Sequence, residues 1–451
     1  MSELIISVSG LRGVVGETLT RDVAVRYAAA FSAYLPEGKL LITRDGRASG
    51  EMLTRVIETG LHAAGRDTID AGVAATPTTG VLVRQFRAAG GIQITASHNP
   101  ARYNGLKLFS YDGRVLPAGP GQDVLNQYKS EKAPDPIRQD GAKGAAYQLD
   151  LPAASHPHLE AVLATVDARR IRSRKFKVLL DANHGSGAAL GRPLLEQLGC
   201  QVTVLGAEPN GQFIHTPEPT AENLAGVLSA VVEAGAEIGF CQDPDADRLA
   251  VIDRTGRYLG EEYTLAMCVD HVLRRHTGAI VTNCSSSRMS QDLAEKYGVP
   301  FHRSPVGEAN VVDAMLENGA VFGGEGNGGP IDPRVGMVRD SFVGMALLLD
   351  AMAARDMTVA ELADELPRYE IVKTKISLPR EKIPAALDAL LEHFADATPD
   401  RLDGLRLDWP DRWLLVRASN TEPIVRAVAE AETAVAARQL CQAAAGVLAN
   451  V

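Results

Sequence analysis

Cysteine is scarce. Cys200, Cys241, Cys268, Cys284 and Cys441 are the five in 451 residues, and no two stand in a CxxC spacing. An odd, scattered set argues against a disulfide framework or a zinc site and fits a reducing compartment, so a cytoplasmic protein is expected. A GxxxxGK[ST] loop is also lacking, which disfavours a nucleotide-dependent kinase. Long apolar runs are missing: the most apolar late segment, Phe342 to Ala354, is too short to span a bilayer and contains Asp350. The opening Met-Ser-Glu-Leu-Ile-Ile-Ser has no basic stretch, and no signal peptide is expected. Positive charge is in deficit, the net value being -10. That speaks against a broad attraction to nucleic acid or an anionic membrane. An anionic small molecule would have to be held by local Arg and Lys.

What is present is a chain of 451 residues with 45% apolar content, which implies a globular protein of two to four domains. One pattern occurs three times. Residues 39–47, 177–187 and 279–287 each read as a short apolar strand ending in a polar loop. A helical pattern follows each and stops at Gly65, Gly199 or Gly298. A second strand, a second helix and a third strand then follow in each case, the third strands being GGIQI, AEIGF and AVFGG. The repeat is β-α-β-α-β, which implies three similar α/β domains with mostly parallel, buried, mixed sheets. Residues 115–152, rich in Pro, Gly and charge, read as excursion loops and a linker, with a helix from His156 to Val166. Beyond Pro367 strands and helices in other proportions indicate a C-terminal α+β domain. The expected divisions are 1–152, 153–254, 255–367 and 368–451, arranged around a central cleft.

The third strands lead into three loops of different chemistry. The first, Thr95-Ala96-Ser97-His98-Asn99-Pro100, puts a hydroxyl at the carboxyl end of a buried strand, where open α/β sheets meet ligands. The second is Asp243-Pro244-Asp245-Ala246-Asp247-Arg248. Its carboxylates, at alternate positions, point the same way if the segment is extended. Three such groups need a cation to share one site, and oxygen ligands suit Mg²⁺. A calcium hand is rejected, because its required Gly and Glu are Arg248 and Arg254 here. The third loop runs from Gly324 to Gly329, where Glu325 and Asn327 can hydrogen-bond hydroxyls. Pro330 and Pro333 follow where a dinucleotide fold requires a helix. In the tail, Arg417, Ser419, Asn420 and Thr421, with Arg426 beyond, offer phosphate-binding donors. Arg12 stands in a Gly-flanked loop near the start, and Lys107 follows the serine loop.

Together these loops resemble those of the α-D-phosphohexomutase superfamily, over the whole chain. The resemblance implies four domains, the first three alike. It implies that Ser97 carries phosphate and that Asp243, Asp245 and Asp247 hold Mg²⁺ with a phosphoserine oxygen on Ser97. It places Arg12, His98, Lys107 and Arg248 around the transferring phosphoryl group, with Lys107 or His98 as general acid/base. Glu325 and Asn327 would read the sugar, and Arg417, Ser419, Asn420 and Thr421 would hold the other phosphate. The implied activity moves phosphate between O6 and O1 of a hexose through a 1,6-bisphosphate. Glucosamine phosphate is the first choice, then mannose and glucose phosphates, with a monomer or homodimer expected. A phosphosugar phosphatase and a non-catalytic sugar-phosphate sensor are the rivals from other classes. The sugar loop departs from the GE-x-S-G-H that many bacterial relatives carry: Asn327 stands in the Ser place and Gly329 in the His place. Glu308 lies near a position where some relatives have a basic or aromatic-ring side chain.

Overall fold

A computed structural model describes residues 4–7, 10–130, 144–418 and 424–450. Its first sheet contains β1 (Ile5–Ser7), β2 (Gly10–Val14), β3 (Leu40–Arg44), β4 (Thr68–Val73), β5 (Gly90–Ile94), β6 (Tyr103–Ser110) and β7 (Ala146–Gln148) in the order β1-β2-β6-β5-β3-β4-β7. The second holds β8 (Lys177–Asp181), β9 (Gln201–Leu205), β10 (Ile238–Gln242) and β11 (Leu249–Asp253) in the order β11-β10-β8-β9. The third holds β12 (Ile280–Asn283), β13 (Phe301–Ser304), β14 (Phe322–Glu325) and β15 (Gly329–Ile331) in the order β13-β12-β14-β15.

The repeat expected from the sequence is therefore real. In each sheet the first strand of the unit lies between the second and third, parallel to both. Gly65, Gly199 and Gly298 all take positive φ at the ends of their helices, a conformation that costs glycine little. Each third strand then turns back into an antiparallel partner, in the pairs β5–β6, β10–β11 and β14–β15. The three chemically loaded loops are the turns of these hairpins, so one topology delivers all three from equivalent positions.

The fourth sheet is wholly antiparallel: β16 (Glu370–Ser377), β17 (Thr398–Asp400), β18 (Leu405–Asp408), β19 (Trp413–Ala418) and β20 (Ile424–Ala431), ordered β16-β20-β19-β18-β17. Helices Ile383–His393 and Ala434–Leu448 pack on it through Leu390, Ala437, Cys441 and Leu448. This is the expected α+β tail domain.

The second and third units share one core. Phe176, Phe240, Val251, Phe322 and Phe342 belong to a single buried cluster. Helix Ser341–Arg355, which contains the most apolar late segment of the sequence, runs through it buried on nearly every side. Its one acidic interior residue, Asp350, is 0% exposed and is compensated by Arg170, His271 and Arg275. No helix among the described residues is long and apolar enough to cross a membrane.

Three local readings need correction. Arg12 is on a strand, β2, and not in a loop. The glycines that suggested a loop serve close backbone approach: a Cβ at Gly10 would lie 2.0 Å from Leu106 O, and one at Gly105 would lie 2.2 Å from Leu11 O. Residues 115–152 are not merely linker. They include helix Ala118–Lys129 and β7, which extends the first sheet beside β4. Pro120 lies in the first turn of that helix, where proline breaks no bond, and Val124 and Leu125 bury its inner face. The helix expected from His156 to Val166 spans Leu151–Leu163, so Pro157 sits inside it and is no boundary marker.

Candidate active site

Ser97 is 1% exposed and takes a φ of 50°, in the left-handed region. A non-glycine residue held there is a constrained one. The constraint comes from Asp45 and Arg47, in the loop after β3, which the sequence reading did not single out. Arg47 Nη2 donates to Ser97 O at 2.6 Å and to Asn99 O at 2.6 Å, and Nη1 donates to Pro100 O at 2.8 Å and Tyr103 O at 3.1 Å. Asp45 Oδ2 accepts from Arg47 Nε at 3.0 Å and from Thr95 Oγ1 at 2.7 Å. One guanidinium thus ties three carbonyls of the serine loop and that of Tyr103 at the start of β6. The outer signal was the RDGR following an apolar strand, but nothing local marks its target.

The loop between β10 and β11 is folded, not extended. Ala246 has a φ of 54°, Ala246 N donates to Asp243 O at 2.9 Å, and Asp243 Oδ1 accepts from Asp247 N at 3.2 Å and Arg248 N at 3.1 Å. The turn gathers the carboxylates by a different route from the alternation expected. Asp243, Asp245 and Asp247 are each 0% exposed, with one oxygen from each lying within 4.8 Å of the others. Asp245 Oδ1 and Asp247 Oδ1 are buried with no hydrogen-bond donor. This oxygen-only set with open lone pairs fits a hard divalent cation.

The two loops meet. Ser97 Oγ donates to Asp243 Oδ2 at 3.1 Å and lies 3.2 Å from His98 Nδ1. From β6, Lys107 Nζ lies 3.1 Å from Asp245 Oδ2 and 2.9 Å from Asp247 Oδ2. Thr76 Oγ1 adds a bond to Asp245 Oδ2 at 2.6 Å, and Thr76 N donates to Asp245 O at 2.9 Å, fastening the first unit to the second. Arg12, opposite Gly105 in the β2–β6 pair, reaches the same region. A cavity of about 340 Å³ beside the serine loop is lined by Arg12, Thr95, His98, Asn99 and Lys107, among others.

Charge is finely divided in this cluster. Burial, with the neighbouring Asp245 and Asp247, raises the Asp243 carboxyl well above the usual range. Burial would raise Asp245 too, but the Lys107 charge and the Thr76 hydroxyl bring it below normal. Burial opposes the charge on Lys107, yet Asp245 and Asp247 outweigh it and hold the ammonium. His98 is pushed down to about 2 by burial and by Arg248 and Arg12, so its ring is neutral.

The third loop connects to the second through Arg339, a residue the sequence reading passed over. Arg339 Nη2 donates to Asp247 Oδ2 at 2.6 Å and Nη1 to Glu325 Oε2 at 2.7 Å. Glu325 Oε1 accepts from Asn283 Nδ2 at 2.6 Å and Gly307 N at 3.1 Å, so the carboxylate knits the three loops of its own unit. Asn327 Nδ2 makes the longest bond to Glu325, at 3.4 Å, while Asn327 Oδ1 is buried without a partner. Arg248 Nη1 stands 3.9 Å from Glu218 Oε1.

Arg417 and Arg426 are cross-strand partners on β19 and β20. Arg417 Nε lies 2.9 Å from Asp403 Oδ2, and Arg426 is exposed. Among the described residues neither is bonded to the Ser97 cluster. Ser419, Asn420 and Thr421 lie outside the described residues.

Comparison with known proteins agrees with this geometry. Models of the phosphoglucomutase/phosphomannomutase family match in four consecutive pieces: alpha/beta/alpha domain I over residues 4–135, domain II over 156–256, domain III over 261–369 and the C-terminal domain over 374–447. A phosphoglucomutase/phosphomannomutase of Thermococcus kodakarensis is 37% identical over 440 residues, covering 95% of each chain. A protein of Pyrococcus abyssi named as a probable phosphoglucosamine mutase is 32% identical, covering 97% of this chain and 96% of its own. The crystal structure of a phosphoglucomutase/phosphomannomutase family protein from Burkholderia thailandensis superposes with a TM-score of 0.82 at 28% identity, covering 97% of this chain and 96% of that one. Four consecutive domain matches, together with relatives that cover 95% or more of the chain, establish that it belongs to the phosphoglucomutase/phosphomannomutase family of the α-D-phosphohexomutase superfamily and is a phosphohexomutase.

Proposed function

We propose that this phosphohexomutase interconverts glucosamine 6-phosphate and glucosamine 1-phosphate, with Ser97 as its phosphate carrier. The observation that carries the reading is the contact between Ser97 Oγ and Asp243 Oδ2 at 3.1 Å, which joins the hydroxyl loop to the carboxylate loop. Asp243, Asp245, Asp247 and an oxygen on Ser97 would hold Mg²⁺. Bound there, the ion would supply positive charge to the phosphoryl oxygens.

The chain's own groups divide the remaining work. In the forward half-reaction the bond between phosphorus and Ser97 Oγ breaks as a bond to the sugar hydroxyl oxygen forms. The sugar hydroxyl gives up its proton as that bond forms and the departing Ser97 Oγ takes one up, so the serine hydroxyl is regenerated; the neutral His98 ring, 3.2 Å from Oγ, is too weak a base to keep that proton. Lys107, held as ammonium by two carboxylates, stays a donor to the phosphoryl oxygens, with Arg12 and Arg248. The 1,6-bisphosphate turns within the cleft, and its other phosphate returns to Ser97. Arg417, with the loop through Ser419, Asn420 and Thr421 and Arg426 beyond it, anchors whichever phosphate is not reacting.

The preference for an amino sugar is supported by the surroundings of the third loop. Asn327 Oδ1 and Glu261 Oε1 are buried acceptors without donors. Glu308 and Glu325 are buried in the same unit. A sugar ammonium complements such a set better than a neutral hydroxyl does. The 37% identity to the Thermococcus kodakarensis phosphoglucomutase/phosphomannomutase favours a second reading, glucose and mannose phosphates. The test is a panel of glucosamine, glucose and mannose 6-phosphates with a 1,6-bisphosphate activator. The highest kcat/KM on glucosamine 6-phosphate supports the first reading. A preference for glucose or mannose phosphate replaces it with the second.

A further inference from the structure

Arg339 lies just past the third hairpin, between β15 and helix Ser341–Arg355, and is 7% exposed. Its guanidinium faces three carboxylates: Asp247 and Glu325, at the bonds given above, and Glu308, whose Oε2 is 3.5 Å from Nε. The backbone is fixed on both sides. Arg339 N donates to Glu308 Oε1 at 2.9 Å, and Asp340 N donates to Pro330 O at 2.8 Å. Asp340 in turn accepts from Phe342 N at 2.9 Å and Val343 N at 3.2 Å as the helix cap, and its Oδ2 meets His158 Nε2 at 2.7 Å. The fork is therefore held in place before any ligand arrives. A planar guanidinium can bridge carboxylates in this way, whereas an ammonium is a point donor.

Gly329 has a role of its own in this arrangement. A Cβ there would lie 2.4 Å from Arg339 Cδ, 2.9 Å from Cγ and 3.0 Å from Cβ. The φ of Gly329 is not positive, so what the position demands is space and not glycine's conformational freedom. Any side chain at 329 and the present course of Arg339 exclude each other.

We propose that Arg339 is a positioning residue for the mutase reaction, locking the sugar loop through Glu325 onto the carboxylate loop through Asp247, and that Gly329 is glycine in order to admit it. The proposal rests on the roles given above to Glu325 and Asp247. It makes two residues ten positions apart one functional unit. It also explains why the sugar loop can do without a side chain at 329: the space is filled by a cation from the next segment.

The test is a double-mutant cycle on mutase kcat/KM with Arg339→Met, Gly329→Ala and the pair, accompanied by Arg339→Lys and by Arg339→Ala with and without added guanidinium. No mutase turnover in the parent protein would overturn the functional reading itself. With an active parent, Arg339→Met is expected to lower kcat/KM by about 10–100-fold, the usual effect of removing a partner that orients a ligating group. Gly329→Ala, which changes no charged atom, should fall within a few-fold of it, and the double variant should be no worse than Arg339→Met. Lysine should recover little, and guanidinium should restore turnover to Arg339→Ala. Parent-like kcat/KM in Arg339→Met, penalties that multiply in the double variant, full activity with lysine, or no guanidinium rescue would each overturn the proposal. If the methionine variant fails to fold, the lysine and Gly329→Ala variants still decide it.

Discussion

Arg47 Nη2 lies 2.6 Å from the carbonyl oxygen of Ser97, and the same guanidinium gathers the carbonyls of Asn99, Pro100 and Tyr103. The left-handed backbone at Ser97 is held by this clasp. Arg47 and its partner Asp45 are both buried, so removing the cation leaves an uncompensated charge. Arg47→Met is expected to cost about 3–5 kcal/mol in urea unfolding. Adding Asp45→Asn should return part of that loss, because the stranded carboxylate goes with it. Equal stability of the single and double variants would count against the clasp.

Divalent cation binding should be linked to protons. Asp243 has its carboxyl raised by burial and by the two neighbouring aspartates, and a cation competes with that proton. Mg²⁺ affinity is expected to rise with pH, with proton release on binding, as measured by calorimetry at pH 6 and 8 in two buffers. A chelator should abolish turnover, and Mg²⁺ should restore it.

Glu262 gives a stability prediction of definite sign. Burial raises its carboxyl from 4.5 to about 8, against the lowering effects of Lys373 and the Ser287 N–H. The folded state therefore holds a proton that the unfolded state has lost between those two values. Its stabilising share is complete below about pH 4.5 and is lost as pH rises through about 8. Thermal unfolding from pH 5 to 9 should show stability falling across this window. Glu262→Gln should flatten the slope, and an unchanged slope would reject the assignment.

The Lys107 ammonium compensates two buried carboxylates, Asp245 and Asp247. Lys107→Met should lower kcat by about 10²–10⁴-fold, the range for a group acting on proton or charge in the transition state. Circular dichroism should retain the parent's helix signal, since the loop is also tied through Thr76.

The fold was legible wherever local signals and tertiary position agreed. Strands β3, β8 and β12 each begin a unit with an apolar run, each following helix stops at a glycine, and each unit ends in a polar hairpin turn. Chemistry was legible in those turns because Ser97 and the Asp243–Asp247 triplet carry it in consecutive residues. What escaped depends on residues far apart in the chain. Gly10 and Gly105 look like loop punctuation until the two strands that need them are side by side. Arg47 and Arg339 have ordinary neighbours, and only the packed structure brings them to the carbonyls and carboxylates they hold. Gly329 stands out in the sequence as a departure from the GE-x-S-G-H pattern, but its meaning lies in the arginine that fills its place.

The most direct test of the account is phosphate transfer at Ser97. The protein is incubated with a hexose 1,6-bisphosphate, and intact-mass and peptide mass spectra are recorded beside mutase turnover for the parent and for Ser97→Ala. The account predicts one phosphate on the parent, located at Ser97 and discharged by hexose 6-phosphate, with both label and turnover lost in the variant. Turnover retained by Ser97→Ala, or phosphate carried on another residue, would contradict it.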